Sequence, residues 1–450
     1  MKQVLVIGAG RSATSLINYL LEKAEIYNWH ITVADASLEL AQIKVGGHNR
    51  GTAVSLNALD VEARGHLIRN AAVVVSMLPP TMHHHVAEDC LKYGKHLATA
   101  SYVSPQMQGF DEAARAKGIL LLCELGLDPG IDHMSAMQLI NKIKSEGGQI
   151  QSFVSGAGGL VAPESDNNPW HYKFSWAPRN VVLAGQGIAK YTYNNHYKHV
   201  PYQRLFAEAI PVEIQGMGTY EAYPNRVSLK YKAAYGLEGT GTILRMTIRH
   251  KGYCKAWNLL VQLGLTDDSY QMDYSEDLTY ASLIRSFLPA TSESLALPDL
   301  RARVAQFFGL PYEDEAIEML AWLDLFEEIP IDFDEASPAQ ILQYILEHKW
   351  KLMPEDKDMI IMQHEFEYKA ADGSQQRLVS TMKKLGENAQ DTAMANLVGL
   401  PLAIGVKNIL LGNIQLSGVQ IPILPEIYEP IMAELEEWGV KFNEQVLVSS

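Results

Sequence analysis

"QVLVIGAGRSATSLINYLLEKA", residues 3–24, is the stretch whose reading decides the fold. Its first half is a short apolar run that ends in glycines. Its second half repeats apolar residues at helical spacing. A buried strand that turns through glycine into a helix opens a βαβ unit. At that turn Gly8-Ala9-Gly10-Arg11-Ser12-Ala13 fits the pattern G-x-G-x-x-[G/A]. The first glycine permits the tight turn, and the second lets backbone approach a pyrophosphate. The small Ala13 lets the helix pack closely on the strand, and the helix N-terminus faces the phosphates.

Working outward, the same rhythm continues. "HITVAD" reads as a strand and "SLELAQIKV" as a helix; "TAVSLN", "AAVVVSML", "KHLATAS" and "GILLLCEL" read as further buried strands. Continuous apolar runs separated by helical patterns indicate a parallel sheet covered on both faces, the doubly wound α/β fold. The second strand ends in Asp35, about 20 residues beyond the glycines as the pattern expects. A carboxylate there accepts hydrogen bonds from both ribose hydroxyls and repels a 2′-phosphate. The following "ASLEL" carries no arginine. NAD is therefore the expected cofactor, with NADP the lesser alternative. The competing reading is an α/β domain without a dinucleotide, in which Asp35 only shapes a turn.

With 450 residues the chain exceeds one small domain. Thirty-seven basic against 52 acidic residues give a net charge of −15. That argues against a nucleic-acid or anionic-membrane surface, since both need a clustered positive face. Cys90, Cys123 and Cys254 are widely spaced without a CxxC pair. A structural metal site or disulfide framework is not expected, no metal is assigned, and a reducing cytoplasm fits. "NLVGLPLAIGV" is the most apolar segment, and Lys407 ends it short of the roughly 18 residues a membrane helix needs.

From about Gln149 the pattern changes. "IQSFVSGAGGL", "PVEIQGM" and "GTILRMTIRHKGY" read as longer strands with Gly-, Pro- and Asn-rich connections. "DMIIMQHEFEYK" and "QRLVSTMKK" flank Asp372-Gly373 as a hairpin with a longer loop. Residues 267–353 read as helical and acidic, with Ser337 as an N-cap before Pro338. The expected domains are 1–126 plus about 395–450, Rossmann-like; 127–266 plus 354–394, an α+β domain with a mixed sheet; and 267–353, a small helical insert.

The chain resembles the L-glutamate-forming saccharopine dehydrogenases. The residues that carry this are "ASYVSP" (100–105), "ELGLDPGIDHM" (124–134), "GGLVAPESDNNPWHYKFSWAPR" (158–179), "YPNR" (223–226), "TIRHKGY" (247–253), "DMIIMQHEF" (358–366) and "EIYEP" (426–430). The resemblance implies oxidation of saccharopine with NAD(P) to L-glutamate and 2-aminoadipate 6-semialdehyde in lysine metabolism, or the reverse, by a homodimer. It implies cofactor contacts at Ala36, Asn57, Leu78, Ala100, Ser101, Leu127, Asp128, Pro129 and Ala177, beside those of the glycine loop. It implies substrate contacts at Ser101, Tyr102, Asp128, Arg226, Thr247, Ile248 and Arg249. There are departures. NADP-using members have a Cys-Arg pair where this chain has Asp35-Ala36. Ala157 replaces a frequent cysteine, and Ala177 a common serine.

Saccharopine carries three carboxylates and an amine. Its recognition needs cations, preferably arginines, whose fork matches a carboxylate. Arg226 and Arg249 fit that need, with a salt bridge as the competing reading; Arg179 and Lys173 fit it less well. Amine deprotonation and imine hydrolysis need proton transfer. Asp128 and Tyr102 are the candidate catalytic groups, against turn chemistry and aromatic packing. "GLDPG" then stands at the carboxyl end of the last parallel strand, with Glu124, Asp132 and His133 as structural support. His83-His84-His85 reads as a solvated helix start, because consecutive helical residues point about 100° apart and share no face. The rival functions are a related carboxyalkyl-amine dehydrogenase, such as one acting on carboxynorspermidine, and a non-catalytic NAD-sensing or scaffold protein.

Overall fold

Six apolar runs near the N-terminus form strands: β1 Lys2–Ile7, β2 Trp29–Asp35, β3 Gly51–Ser55, β4 Val73–Ser76, β5 His96–Ala98 and β6 Leu120–Leu122. The computed structural model describes residues 1–273, 278–291, 297, 299–333 and 335–448. Parts of the expected helical insert (274–277, 292–296, 298 and 334) and residues 449–450 of the expected Rossmann-like domain lie outside the described residues. The chain divides into two units, Met1–Ile150 with Ala234–Gly236 and Tyr368–Ser450, and Gln151–Ala233 with Leu237–Glu367.

In the first unit the six strands are joined by Gly418–Gln420, in the order Gly418–Gln420, β6, β5, β4, β1, β2, β3. All six neighbouring pairs in this order are parallel. Val4, Val6, Val73, Val74 and Val75 are all within 1% of complete burial, so both faces of the central strands are covered. Helices α1 Thr14–Tyr27, α2 Leu38–Val45, α3 Val61–Asn70 and α4 His83–Tyr93 make the crossovers between successive strands. Ser37 and Asp60 cap α2 and α3 by accepting backbone N–H groups, as short polar residues do at helix starts. The strand Gly418–Gln420 has no sequence counterpart in the expected set, because three residues give no periodicity to read.

The most apolar segment becomes the helix Ala393–Leu411, packed on α1 and on the helix Pro425–Glu437. By length and a mean hydropathy of 1.6 it passes for a membrane span, yet 78% of it is buried inside the protein. It packs tightly on α1 at Gly399, where a Cβ would stand 2.7 Å from the Leu16 backbone nitrogen. Backbone cannot yield as a side-chain tip can. Gly399→Val is expected to cost roughly 1–3 kcal/mol by overpacking, read as a lowered melting temperature. An unchanged melting temperature would show that the helices part freely.

The second unit carries a mixed sheet. Its strands run in the order Ile210–Ile214, Gly218–Pro224, Thr242–Arg249, Gln149–Val161 and Asp358–Lys369. Gly218–Pro224 is antiparallel and Gln149–Val161 parallel to Thr242–Arg249. The glycines of "SGAGG" have a steric reason: a Cβ on Gly158 would lie 2.5 Å from the Ile248 carbonyl oxygen. A hairpin of Ile188–Tyr193 and His196–Pro201 pairs on through Thr192 and Ile243. Helices Tyr280–Ser286, Leu300–Phe308, Glu315–Trp322 and Pro338–Lys349 fill the 267–353 region, and Ser337 forms a capping box with Gln340. Their apolar faces share one core with Trp170, Tyr172, Phe174 and Trp257.

Candidate functional site

The glycine loop at the end of β1 has the geometry its sequence implies. Gly8 adopts φ +108°, and a Cβ there would stand 2.9 Å from the Met77 carbonyl oxygen, so only glycine fits. A Cβ on Gly10 would meet nothing within 4 Å, which leaves its face open to a phosphate. Arg11–Ala13 makes a 3-10 turn before α1, with Ala13 buried and Arg11 exposed. Ser12 lies within that turn, half-buried. The Asp35 carboxylate is already engaged by its own chain: Ala9 N–H donates to one oxygen at 2.7 Å and Ser37 N–H to the other at 2.9 Å. Ala36 and Asn57 are exposed at the next two loops, and Asn57 accepts the Leu59 N–H.

The ends of β4 and β5 are tied by a residue that sequence reasoning set aside. His83 is 3% exposed, at the first position of α4. Its Nδ1 lies 2.8 Å from Ser76 Oγ and its Nε2 2.7 Å from Ser101 Oγ. The argument that three consecutive histidines share no face holds, and its consequence runs the other way: one of the three must face inward. Leu78 and Ala100 are half-buried beside this bridge, Leu78 against the apolar core of the sheet.

Beyond β6 the loop folds back on itself. Gly126 N–H donates to the Pro129 carbonyl, and a Cβ on Gly130 would fall 2.0 Å from the Gly126 carbonyl oxygen. Leu127 and Pro129 are buried, while Asp128 is half-buried. The loop brings the two expected proton-handling groups together, with Tyr102 donating its hydroxyl to Asp128 Oδ1 at 2.8 Å. A second layer fixes it. Glu124 is 1% exposed, in the left-handed region at φ +58°. It accepts from Val103 N–H at 3.0 Å and pairs with His133 Nε2 at 2.8 Å. His133 is fully buried and also bonds the Tyr235 hydroxyl. Asp132 accepts the Gly130 N–H at 2.6 Å.

In the second unit the expected cations separate into used and available. Lys173 pairs with Asp356 at 2.7 Å and Arg179 pairs with Asp268. Arg249 is 4% exposed and has no carboxylate partner among the described residues. Its guanidinium lies 5.3 Å from the Tyr172 and Tyr253 ring centres and 5.8 Å from that of Tyr223. One Nη donates to the Ile248 carbonyl at 2.9 Å, and its Nε has no partner. Thr247 is half-buried on the same strand, whereas the Ile248 side chain is committed to an apolar cluster with Leu160 and Tyr220. Arg226 is exposed in a turn at φ +49°, and Ala177 is exposed at the start of the helix Pro178–Val182. Asp166, His171 and His250 bring three metal-type donors together. However, the two imidazoles stack at 4.0 Å with planes only 29° apart. Ligand lone pairs lie in the ring plane, so stacked rings do not converge on one ion.

A parallel sheet with a glycine turn after its first strand, and a hydrogen-bonded Tyr102–Asp128 pair beyond its carboxyl edge, has the form of a dinucleotide-dependent oxidoreductase. Comparison with known proteins makes this particular. Residues 4–122 match the saccharopine dehydrogenase NADP binding domain and residues 126–440 the saccharopine dehydrogenase C-terminal domain. The chain is 33% identical over 453 residues to the saccharopine dehydrogenase [NADP(+), L-glutamate-forming] of Pyricularia oryzae, covering 99% of each. It is 32% identical over 450 residues to that of Saccharomyces cerevisiae, again covering 99% of each. The apo, histidine-tagged structure of the Saccharomyces cerevisiae enzyme superposes with a TM-score of 0.88 at 31% identity, over 100% of both chains. The chain belongs to the saccharopine dehydrogenase family.

These findings correct the cofactor expectation. The matched domain is an NADP binding domain and the relatives are NADP(+) enzymes, so the preference for NAD drawn from Asp35 does not stand. The structure supplies a physical reason. Both Asp35 oxygens serve the backbone of their own loops, so the carboxylate's presence at the end of β2 does not by itself report which ribose is read.

Proposed function

We propose that the chain oxidises saccharopine with NADP to L-glutamate and 2-aminoadipate 6-semialdehyde, or runs the reverse condensation. The observation that carries the substrate reading is Arg249. Burying a guanidinium without a counter-charge is costly, and a protein that retains one holds it for an anionic ligand. Three tyrosine rings surround the cation, and its Nε is left for a ligand. A carboxylate of saccharopine completes it.

When bound, NADP supplies the hydride acceptor. The chain's own residues do the rest. The open face at Gly10 and the N–H groups before α1 receive the pyrophosphate. Arg11, exposed and without an acidic partner among the described residues, takes the 2′-phosphate in place of the arginine that relatives carry after β2. Arg11→Ala is expected to weaken NADPH binding about tenfold while leaving NADH binding nearly unchanged, by fluorescence titration. Equal losses for both would remove the phosphate from its role. Tyr102 and Asp128 act as one unit at the amine: Asp128 orients the nitrogen, and the Tyr102 hydroxyl passes its proton. Hydride leaves the lysine-derived carbon with the C–N bond becoming an imine. Water adds to it, and cleavage of the carbon–nitrogen bond releases glutamate.

A cytoplasmic homodimer is the accompanying expectation, supported by the three free buried cysteines and the family resemblance. The test of the function is a substrate panel of saccharopine, carboxynorspermidine and simple N-alkyl amino acids with NADP, followed by NADPH absorbance. Saccharopine alone should give rapid reduction. Faster turnover of another member would overturn the substrate.

A further inference from the structure

We propose that His83 is a positioning residue which holds the Ser101 hydroxyl as a hydrogen-bond acceptor for an N–H group of the bound ligands. The inference rests on the proposed function, because Ser101 matters only where cofactor and substrate meet it. Thr99 Oγ1 accepts the Ser101 backbone N–H at 3.3 Å and lies 3.5 Å from His83 Nε2. Two hydroxyls thus stand at Nε2, that of Ser101 the nearer at 2.7 Å. In the tautomer proposed here Nε2 accepts the Ser101 hydroxyl, with Nδ1–H donating to Ser76 Oγ at 2.8 Å. Burial, with His84 alongside, pushes the imidazole down to about 4, so it stays neutral and keeps that lone pair.

The consequence falls on Ser101. A serine hydroxyl is otherwise a free rotor, able to donate or accept. With its hydrogen committed to His83, its lone pairs are all it offers outward. That selects an amide N–H, such as the carboxamide of a nicotinamide, or the amine of the substrate, and disfavours a carboxylate. Because Ser76 ends β4 and Ser101 lies in the bend just beyond β5, the bridge ties that bend to the sheet and fixes where the acceptor stands.

A double-mutant cycle tests this, with dissociation constants for NADPH, and for saccharopine on the NADPH-loaded protein, as its readouts. His83→Ala and Ser101→Ala should each weaken at least one of the two ligands about tenfold. The double variant should be no weaker than Ser101→Ala alone, and His83→Gln, which restores an acceptor, should recover most of the loss. Thermal melting confirms that each variant is folded. Losses that multiply in the double variant, or a His83→Ala protein that binds both ligands normally, would overturn the proposal. A wild-type protein that binds NADPH but not saccharopine refutes the substrate reading alone, and the NADPH arm then decides His83.

Discussion

Arg249→Met is expected to abolish most saccharopine turnover without lowering the melting temperature. The side chain is 4% exposed, lacks a carboxylate partner among the described residues, and leaves its Nε unbonded. Its desolvated charge is offset by a bond to the Ile248 carbonyl and by the surrounding tyrosines rather than by a carboxylate. Methionine fills a similar volume and carries no charge to desolvate, so the folded state is stabilised or unchanged. Binding is another matter. Removing one partner of a desolvated carboxylate–guanidinium pair costs roughly 3 kcal/mol, about a hundredfold in kcat/KM for saccharopine. NADPH affinity should not move. A protein that melts earlier yet turns saccharopine over normally would make Arg249 a structural residue and remove the main support for the substrate.

Glu124→Ala is expected to have the largest effect on stability. Glu124 meets the Val103 N–H and the His133 imidazole, and all these groups lie in the interior of the first unit. Deleting one member of a buried pair strands the other, at roughly 3–5 kcal/mol. Alanine also gains nothing from φ +58°, a conformation L residues adopt at a cost. The measurement is thermal or urea unfolding of the variant beside Glu124→Gln. The amide keeps an acceptor for Val103, so the glutamine variant should fall between alanine and wild type. Near-identical unfolding of all three would show that the Glu124–His133–Tyr235 network carries little of the loop's order.

The Rossmann-like half was legible because parallel strands covered on both faces write themselves as unbroken apolar runs, and the glycine turn fixes their start. The second sheet was legible in part. The Ile188–Tyr193 and His196–Pro201 hairpin went unread, although Asn194-Asn195 signals it. Both residues adopt positive φ, 47° and 64°, as the two central positions of a type I′ turn require. Asp35 and His83 went wrong for one shared reason. Sequence spacing says that a side chain stands at a strand end or helix start, but not which way it turns. Asp35 turns to its own backbone, and His83 turns into the sheet. Conversely, motif alone named Tyr102 and Asp128 as candidates, and the hydrogen bond between them is a fact only geometry supplies.

The proposed reaction takes hydride from the lysine-derived carbon of saccharopine. Incubating the protein with saccharopine and NADP, and identifying the products by mass spectrometry, tests it most directly. L-glutamate and 2-aminoadipate 6-semialdehyde are expected, in equal amounts with the NADPH formed. Lysine and 2-oxoglutarate in their place would mean oxidation on the glutamate side of the nitrogen, and would contradict it.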